Sequence, residues 1–104
     1  MIEARFKKSG EELIGFSVTG HSGYDCEGFD IVCASVSSAV MLTCNAITEI
    51  FGIKAEVQAG DNLISCLMID PSDNGSKLIG SLLIHLEALS EDYPENVTVK
   101  ISEV

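Results

Sequence analysis

Basic residues are scarce in this sequence. Six Lys or Arg side chains stand against sixteen Asp or Glu, which gives 104 residues a net charge of −10. A nucleic-acid surface needs clustered Lys and Arg to contact phosphates, so this balance argues against DNA or RNA binding. An acidic surface instead attracts a basic partner, although many proteins are acidic for solubility alone.

Prolines and long apolar runs are also few. The chain has two prolines and 46% hydrophobic residues, a composition that excludes disorder. Its length allows one hydrophobic core that needs no metal or disulfide for stability. No run free of polar residues reaches the roughly 20 residues of a membrane span. Charges occupy the N-terminus where a signal peptide would be apolar. We therefore expect one cytoplasmic domain, residues 1–104, without a membrane segment.

Paired cysteine motifs are missing as well. The four cysteines are Cys26, Cys33, Cys44 and Cys66, and no two are separated by the two to four residues typical of structural zinc sites. No P-loop or dinucleotide fingerprint is present, so we expect neither metal nor cofactor. In the cytoplasm the thiols should be reduced. Cys44 and Cys66 fall in apolar runs and are predicted core residues, whereas Cys26 lies in a loop.

The pattern of apolar residues predicts an α+β fold of order ββαββαβ, with one mixed or antiparallel sheet and two main helices. Ile14, Phe16 and Val18 should share the buried face of the second strand. Asp30 is a plausible N-cap of the first helix and Gly52 its C′ residue. The predicted strands are Ile2–Lys7, Leu13–Thr19, Lys54–Ala59, Leu63–Ile69 and Val97–Ser102, and the predicted helices are Asp30 to about Phe51 and Ser76 to about Asp92.

The first predicted helix is apolar on most of its circumference between Ala39 and Ile47. A helix of this kind has to be covered on two sides. One cover is the sheet, and the other is either a second subunit, which would make the protein a homodimer, or the second helix.

A histidine and a cysteine flank a glycine-rich loop and the start of the first predicted helix. With Asp30 as N-cap, Cys33 is the third helical residue, where unpaired N–H groups and the helix dipole favour the thiolate. His21, between Gly20 and Gly23, could fold back over that turn as a general base. The two would then suffice for nucleophilic catalysis by cysteine. The alternatives are a core cysteine and an exposed loop histidine.

Two neighbouring side chains could assist. Asp30 could simply cap the helix, or could orient the His21 imidazole. As an anion close to Cys33 it would otherwise oppose the thiolate, which suggests that it is engaged elsewhere. Ser37 lies one turn beyond Cys33 on the same face and could touch the substrate or the thiolate, or be an ordinary helix-surface serine. His85, in the second predicted helix, is expected to be a half-buried surface residue.

The run Gly20-His21, followed by Gly28-Phe29-Asp30-Ile31-Val32-Cys33-Ala34-Ser35-Val36-Ser37, resembles the ribosomal-processing cysteine protease family, often called Prp. These small bacterial proteins share a GH motif, a loop of similar length and a segment like DIVCAAVS. Two departures stand out: Ser35 occupies a position where alanine is common, and Cys26 adds a second thiol to the loop.

The resemblance implies that His21 and Cys33 form a catalytic dyad, supported by Gly20, Asp30 and Ser37. It also implies a homodimer that removes a short N-terminal extension from a basic protein of the large ribosomal subunit. Two other hypotheses stay open. One is an acidic, non-enzymatic module that escorts such a ribosomal protein. The other is a redox sensor using Cys26 and Cys33.

Overall fold

The secondary-structure elements follow one another in the predicted order. The computed structural model describes residues 1–20 and 29–104. Its strands are β1 (Ile2–Ser9), β2 (Glu12–Thr19), β3 (Ala55–Ala59), β4 (Leu63–Met68) and β5 (Val97–Glu103), and its helices are α1 (Phe29–Asn45) and α2 (Asp73–Asp92). A π-helical turn, Ala46–Ile50, continues α1. The α+β class is confirmed.

The strands form one mixed sheet in the order β3-β4-β2-β1-β5. The hairpins β1–β2 and β3–β4 are antiparallel, as their short turns require, and β2 joins them by pairing antiparallel with β4. The last strand runs parallel to β1 because the chain returns through α2, a crossover long enough for parallel pairing.

Among residues 1–20 and 29–104, both helices pack against the same face of the sheet. Alternate residues of the central strands are fully buried, among them Phe6 and Val18. Val36 of α1 and Leu86 of α2 belong to the same core cluster. The other face carries polar side chains, for example Ser17 opposite Arg5. The position of the two helices, which element order alone leaves open, is therefore on a common face.

A β-bulge changes the predicted face of one residue. The pairs Lys7↔Gly15 and Lys8↔Leu13 leave Ile14 as an extra residue in β2. Phe16 and Val18 are buried as predicted, but Ile14 is only half-buried. Leu13 packs against the core in its place. The predicted alternation was wrong at Ile14 because a bulge shifts the period of two by one residue.

The N-terminal end of α1 differs from the prediction, whereas the predicted glycine after its C-terminal end is confirmed. The helix begins at Phe29, so Asp30 lies inside its first turn and the prediction that Asp30 is the N-cap was wrong. At the other end Phe51 caps the π-helical turn, and Gly52 follows with φ of 63°. The left-handed backbone at C′ confirms the role predicted for Gly52.

Helix α2 begins three residues earlier than the sequence pattern indicates. Ser72 is its N-cap, and its side chain accepts a hydrogen bond from the Gly75 N–H at 3.1 Å. Gly75 is buried because the Met68 side chain occupies the space where a Cβ would project. The segment 73–75 looks like a turn in sequence, but the N-cap and this close contact place it in the helix.

One side of α1 remains uncovered by the described residues. Ile31 and Leu42, eleven residues apart on one face, expose 68% and 71% of their surface, and Met41 beside them exposes 45%. By length and composition alone, Ile31–Ile50 would also pass as a membrane span, a test that core helices of soluble proteins pass too. Here Val36 and Val40, on the opposite side, are buried against the sheet.

Candidate active site

Cys33 is the fifth residue of α1, not the third, because the helix begins at Phe29. Its backbone N–H is therefore within the helical pattern and points toward the carbonyl four residues earlier. The N–H groups that lack helical partners belong to the residues of the preceding turn. Since a helical Cα–Cβ bond tilts toward the N-terminus, the thiol leans back toward that turn.

The Cys33 side chain is half-buried and packs against the core cluster. Val32 precedes Cys33, and Val36 follows it by three residues. Both are buried, with 1% and 0% exposure. They fix the rotation of α1 on the sheet, so the position of the thiol follows from core packing. The Cys33 thiol is therefore positioned by the core and remains partly accessible.

Ser37 lies one turn beyond Cys33 and is also half-buried. The structure thus brings these two predicted residues together on one helical face, at a spacing of four. The Ser35 hydroxyl donates to the Ile31 carbonyl at 2.9 Å. That bond keeps Ser35, the residue found where alanine is common, engaged with its own helix.

Gly20 directly follows the last residue of β2, and its backbone conformation is restricted. Its φ is 82°, and a Cβ there would collide with the Met1 carbonyl, so this position requires glycine. The Gly20 N–H donates to the Asn62 backbone carbonyl at 3.3 Å and to the Asn62 side-chain oxygen at 3.0 Å. The residue that precedes His21 is thus held by the β3–β4 turn and by the N-terminus.

His21 and Cys26 lie outside the described residues, so their predicted roles stay predictions. Asp30 is in the first turn of α1. His85 is exposed on α2, rather than half-buried as expected. Sequence reasoning missed Asn62, because a polar residue in a Gly-Asp-Asn turn is ordinary and nothing local relates it to Gly20.

Cys44 and Cys66 are core residues, as predicted, with 4% and 1% exposure. The two thiols face each other between α1 and β4. The neighbouring Cys66 thiol and burial raise the pKa of the Cys44 thiol, so Cys44 stays neutral and unreactive. Among residues 1–20 and 29–104, no three His, Cys, Asp or Glu side chains are grouped so as to hold a metal ion.

Solved structures share this fold. The chain superposes on SMU.848 from Streptococcus mutans with a TM-score of 0.89, at 29% identity, over 100% of this chain and 96% of that one. It superposes on the ribosomal processing protease Prp from S. aureus, in complex with a substrate peptide, with a TM-score of 0.90. That match has 22% identity and covers 98% of this chain and 100% of the other.

The family follows from the sequence comparison. The model of the family described as Cysteine protease Prp matches residues 1–98, so the chain belongs to this family and is a cysteine protease. The ribosomal processing cysteine protease Prp of Bacillus subtilis is 26% identical to it over 107 residues. That alignment covers 95% of this chain and 96% of the relative.

Proposed function

We propose that this protein removes the short N-terminal extension of a large-subunit ribosomal protein precursor by cutting one peptide bond. The observation that carries the proposal is a half-buried thiol, Cys33, near the start of α1 in a member of a cysteine protease family. Its Bacillus subtilis relative is named for ribosomal processing, which supports the same class of substrate. The proposed activity places the enzyme in the cytoplasm, with reduced thiols.

In the proposed reaction, His21 takes the proton of the Cys33 thiol and the sulfur attacks the scissile carbonyl carbon. The tetrahedral oxyanion is stabilised by N–H groups in the first turn of α1, toward which the thiol leans. His21 then protonates the leaving amine as the carbon–nitrogen bond breaks, and a thioester remains on Cys33. Water, deprotonated by His21, hydrolyses the thioester and restores the thiol.

Three further residues support the dyad in this proposal. Asp30, in the first turn of α1, orients the His21 imidazole. Ser37, one turn after Cys33, contacts the substrate or the thiolate. Gly20 supplies the backbone conformation from which His21 extends, since its φ of 82° is one that residues with a side chain rarely adopt.

The charge of the chain suits the proposed substrate. A net charge of −10 attracts ribosomal proteins, which are basic because they bind RNA, and opposes RNA itself. The substrate would therefore be recognised as a free precursor before it is covered by RNA.

We also propose that the protein is a homodimer through the uncovered side of α1. Leu42 faces a groove whose other wall is formed by Ser81 and His85 of α2. Ile84, on α2, exposes 71% of its surface. Apolar side chains of this size on adjacent helices are typical of an interface with a second subunit.

The test is cleavage of a synthetic peptide that spans the junction between the extension and the mature ribosomal protein. Mass spectrometry should find one cut, at the junction, and none in a scrambled peptide of the same composition and charge. An intact junction peptide that still binds the protein would contradict proteolysis and support the escort hypothesis.

A further inference from the structure

We propose that Asn62 is a positioning residue that fixes the starting point of the segment carrying His21. This inference rests on the proposed function, because it assigns Asn62 a purpose only if His21 is the base. The role would be exerted through Gly20, and Asn62 itself need not touch the substrate.

Gly20 lies where the chain leaves the sheet at the end of β2. The last paired residue of β2, Thr19, lies opposite Glu3 of β1 on one side and Leu63 of β4 on the other. Gly20 therefore leaves the sheet between the start of β1 and the start of β4. The next residue along the chain is His21.

Gly20 is contacted on both sides, by Asn62 just before β4 and by Met1 just before β1. On the β4 side, Asn62 accepts the Gly20 N–H twice, through its side-chain oxygen at 3.0 Å and its backbone carbonyl at 3.3 Å. On the β1 side, the Met1 carbonyl fills the space where a Gly20 side chain would lie. The φ of 82° is compatible with this close approach because Gly20 has no Cβ.

The contact of the Asn62 side chain with Gly20 is separate from the hydrogen bond that closes the β3–β4 hairpin. The β3–β4 turn already closes through its own bond, from the Gly60 N–H to the Leu63 carbonyl at 2.8 Å. The backbone carbonyl of Asn62 would remain available to Gly20 with any residue at this position. Of these two contacts with Gly20, the shorter one, to the side-chain oxygen, depends on the Asn62 side chain. Its removal should therefore leave the turn folded and loosen Gly20.

The consequence concerns geometry more than stability. A neutral, exposed hydrogen bond adds little to the free energy of unfolding. An imidazole that starts from a displaced backbone, however, meets the Cys33 thiol in a poorer geometry, and displacements of about 1 Å cost up to about a hundredfold in rate. We therefore expect the loss to fall on kcat.

The experiment compares Asn62→Ala, Asn62→Asp and the control Asp61→Ala, which changes the exposed neighbour in the same turn, in junction-peptide cleavage. Asn62→Ala should lower kcat about tenfold with KM within about twofold of wild type, since orientation and not binding is lost. Asn62→Asp keeps an oxygen acceptor for Gly20 and should recover most of kcat. Asp61→Ala should match wild type, and all three should melt within a few degrees of it.

Two results would overturn the proposal: full kcat in Asn62→Ala, or equal losses in Asn62→Ala and Asn62→Asp. Wild type and His21→Ala are run beside them to separate this outcome from failure of the proposed function. If wild type does not cut, or His21→Ala cuts as fast as wild type, the assignment of His21 has failed and with it the premise. If only wild type cuts and Asn62→Ala equals it, the positioning role alone has failed.

Discussion

Leu13 and Ser76 join the bulge of β2 to the first turns of α2. The Leu13 N–H donates to the Ser76 hydroxyl at 2.9 Å in a partly buried contact across 63 residues of sequence. The Ser76 hydroxyl thus satisfies a strand N–H beside the bulge and connects β2 to the start of α2.

The Ser76→Ala variant should lose about 1–2 kcal/mol in free energy of unfolding, because the Leu13 N–H is left partly buried without this acceptor. Glu87→Ala, at an exposed position of the same helix outside the proposed interface, should change it by less than about 0.5 kcal/mol. Urea unfolding of both variants gives the comparison. Equal stability of the two would show that the bulge contact contributes nothing.

Two glycines of α2 should respond to alanine in opposite directions. At Gly75 a Cβ would overlap the sulfur of Met68, a core side chain with 3% exposure, so Gly75→Ala should destabilise by about 1–3 kcal/mol. At Gly80 the nearest atom to a Cβ would be Leu13 Cδ1 at 3.8 Å, an ordinary contact. Gly80→Ala should therefore stabilise by about 0.5–1 kcal/mol.

Thermal unfolding followed by circular dichroism separates these two cases. A rise in melting temperature for Gly75→Ala would mean that the close approach of α2 to β4 is not tight.

The proposed dimer predicts a different effect for two exposed apolar residues. Leu42→Glu places a charge on the uncovered side of α1 and should convert the dimer to a species of 11.1 kDa. Ile69→Glu, at a residue with 60% exposure beyond the end of β4, should leave the mass at twice that value. Sedimentation velocity measures both. A wild-type monomer would remove the dimer from the account.

Alkylation should distinguish the thiols by burial and pKa. In a Cys26→Ser background, iodoacetamide should modify the half-buried Cys33 in the folded protein. Cys44 should resist, because the contact with Cys66 and burial raise the pKa of its thiol and keep it neutral at pH 7. Peptide mapping after guanidinium unfolding should then show Cys44 and Cys66 labelled. Labelling of Cys44 in the folded protein as fast as that of Cys33 would contradict this assignment.

Sequence patterns were most informative where residues act through periodicity. Alternation located all five strands, and apolar spacing located α1 and α2, because burial of one face is a repeated local signal. It failed at Ile14, where one inserted bulge residue reverses the faces. It also failed at 73–75, where polar residues and a glycine look like a turn until Ser72 caps the helix and Met68 packs against Gly75.

The candidate site was predictable to the extent that its chemistry is local. Cys33 could be found from its motif and its place near a helix start, although its helical position shifted when α1 proved to begin at Phe29. The hydrogen bond from the Gly20 N–H to the Asn62 side chain joins residues that are 42 positions apart. It depends on the order of the strands, which no short stretch of sequence contains. The assignment of His21 rests on the sequence alone, through its glycine-flanked position and the GH motif.

The proposed roles of Cys33 as nucleophile and His21 as its base are tested by cleavage of the junction peptide. The rate is measured for wild type, Cys33→Ala, His21→Ala and the thiol control Cys26→Ser. We predict that Cys33→Ala has no activity, that His21→Ala falls at least about a hundredfold in kcat, and that Cys26→Ser equals wild type. Cleavage by Cys33→Ala at the wild-type rate would contradict the account.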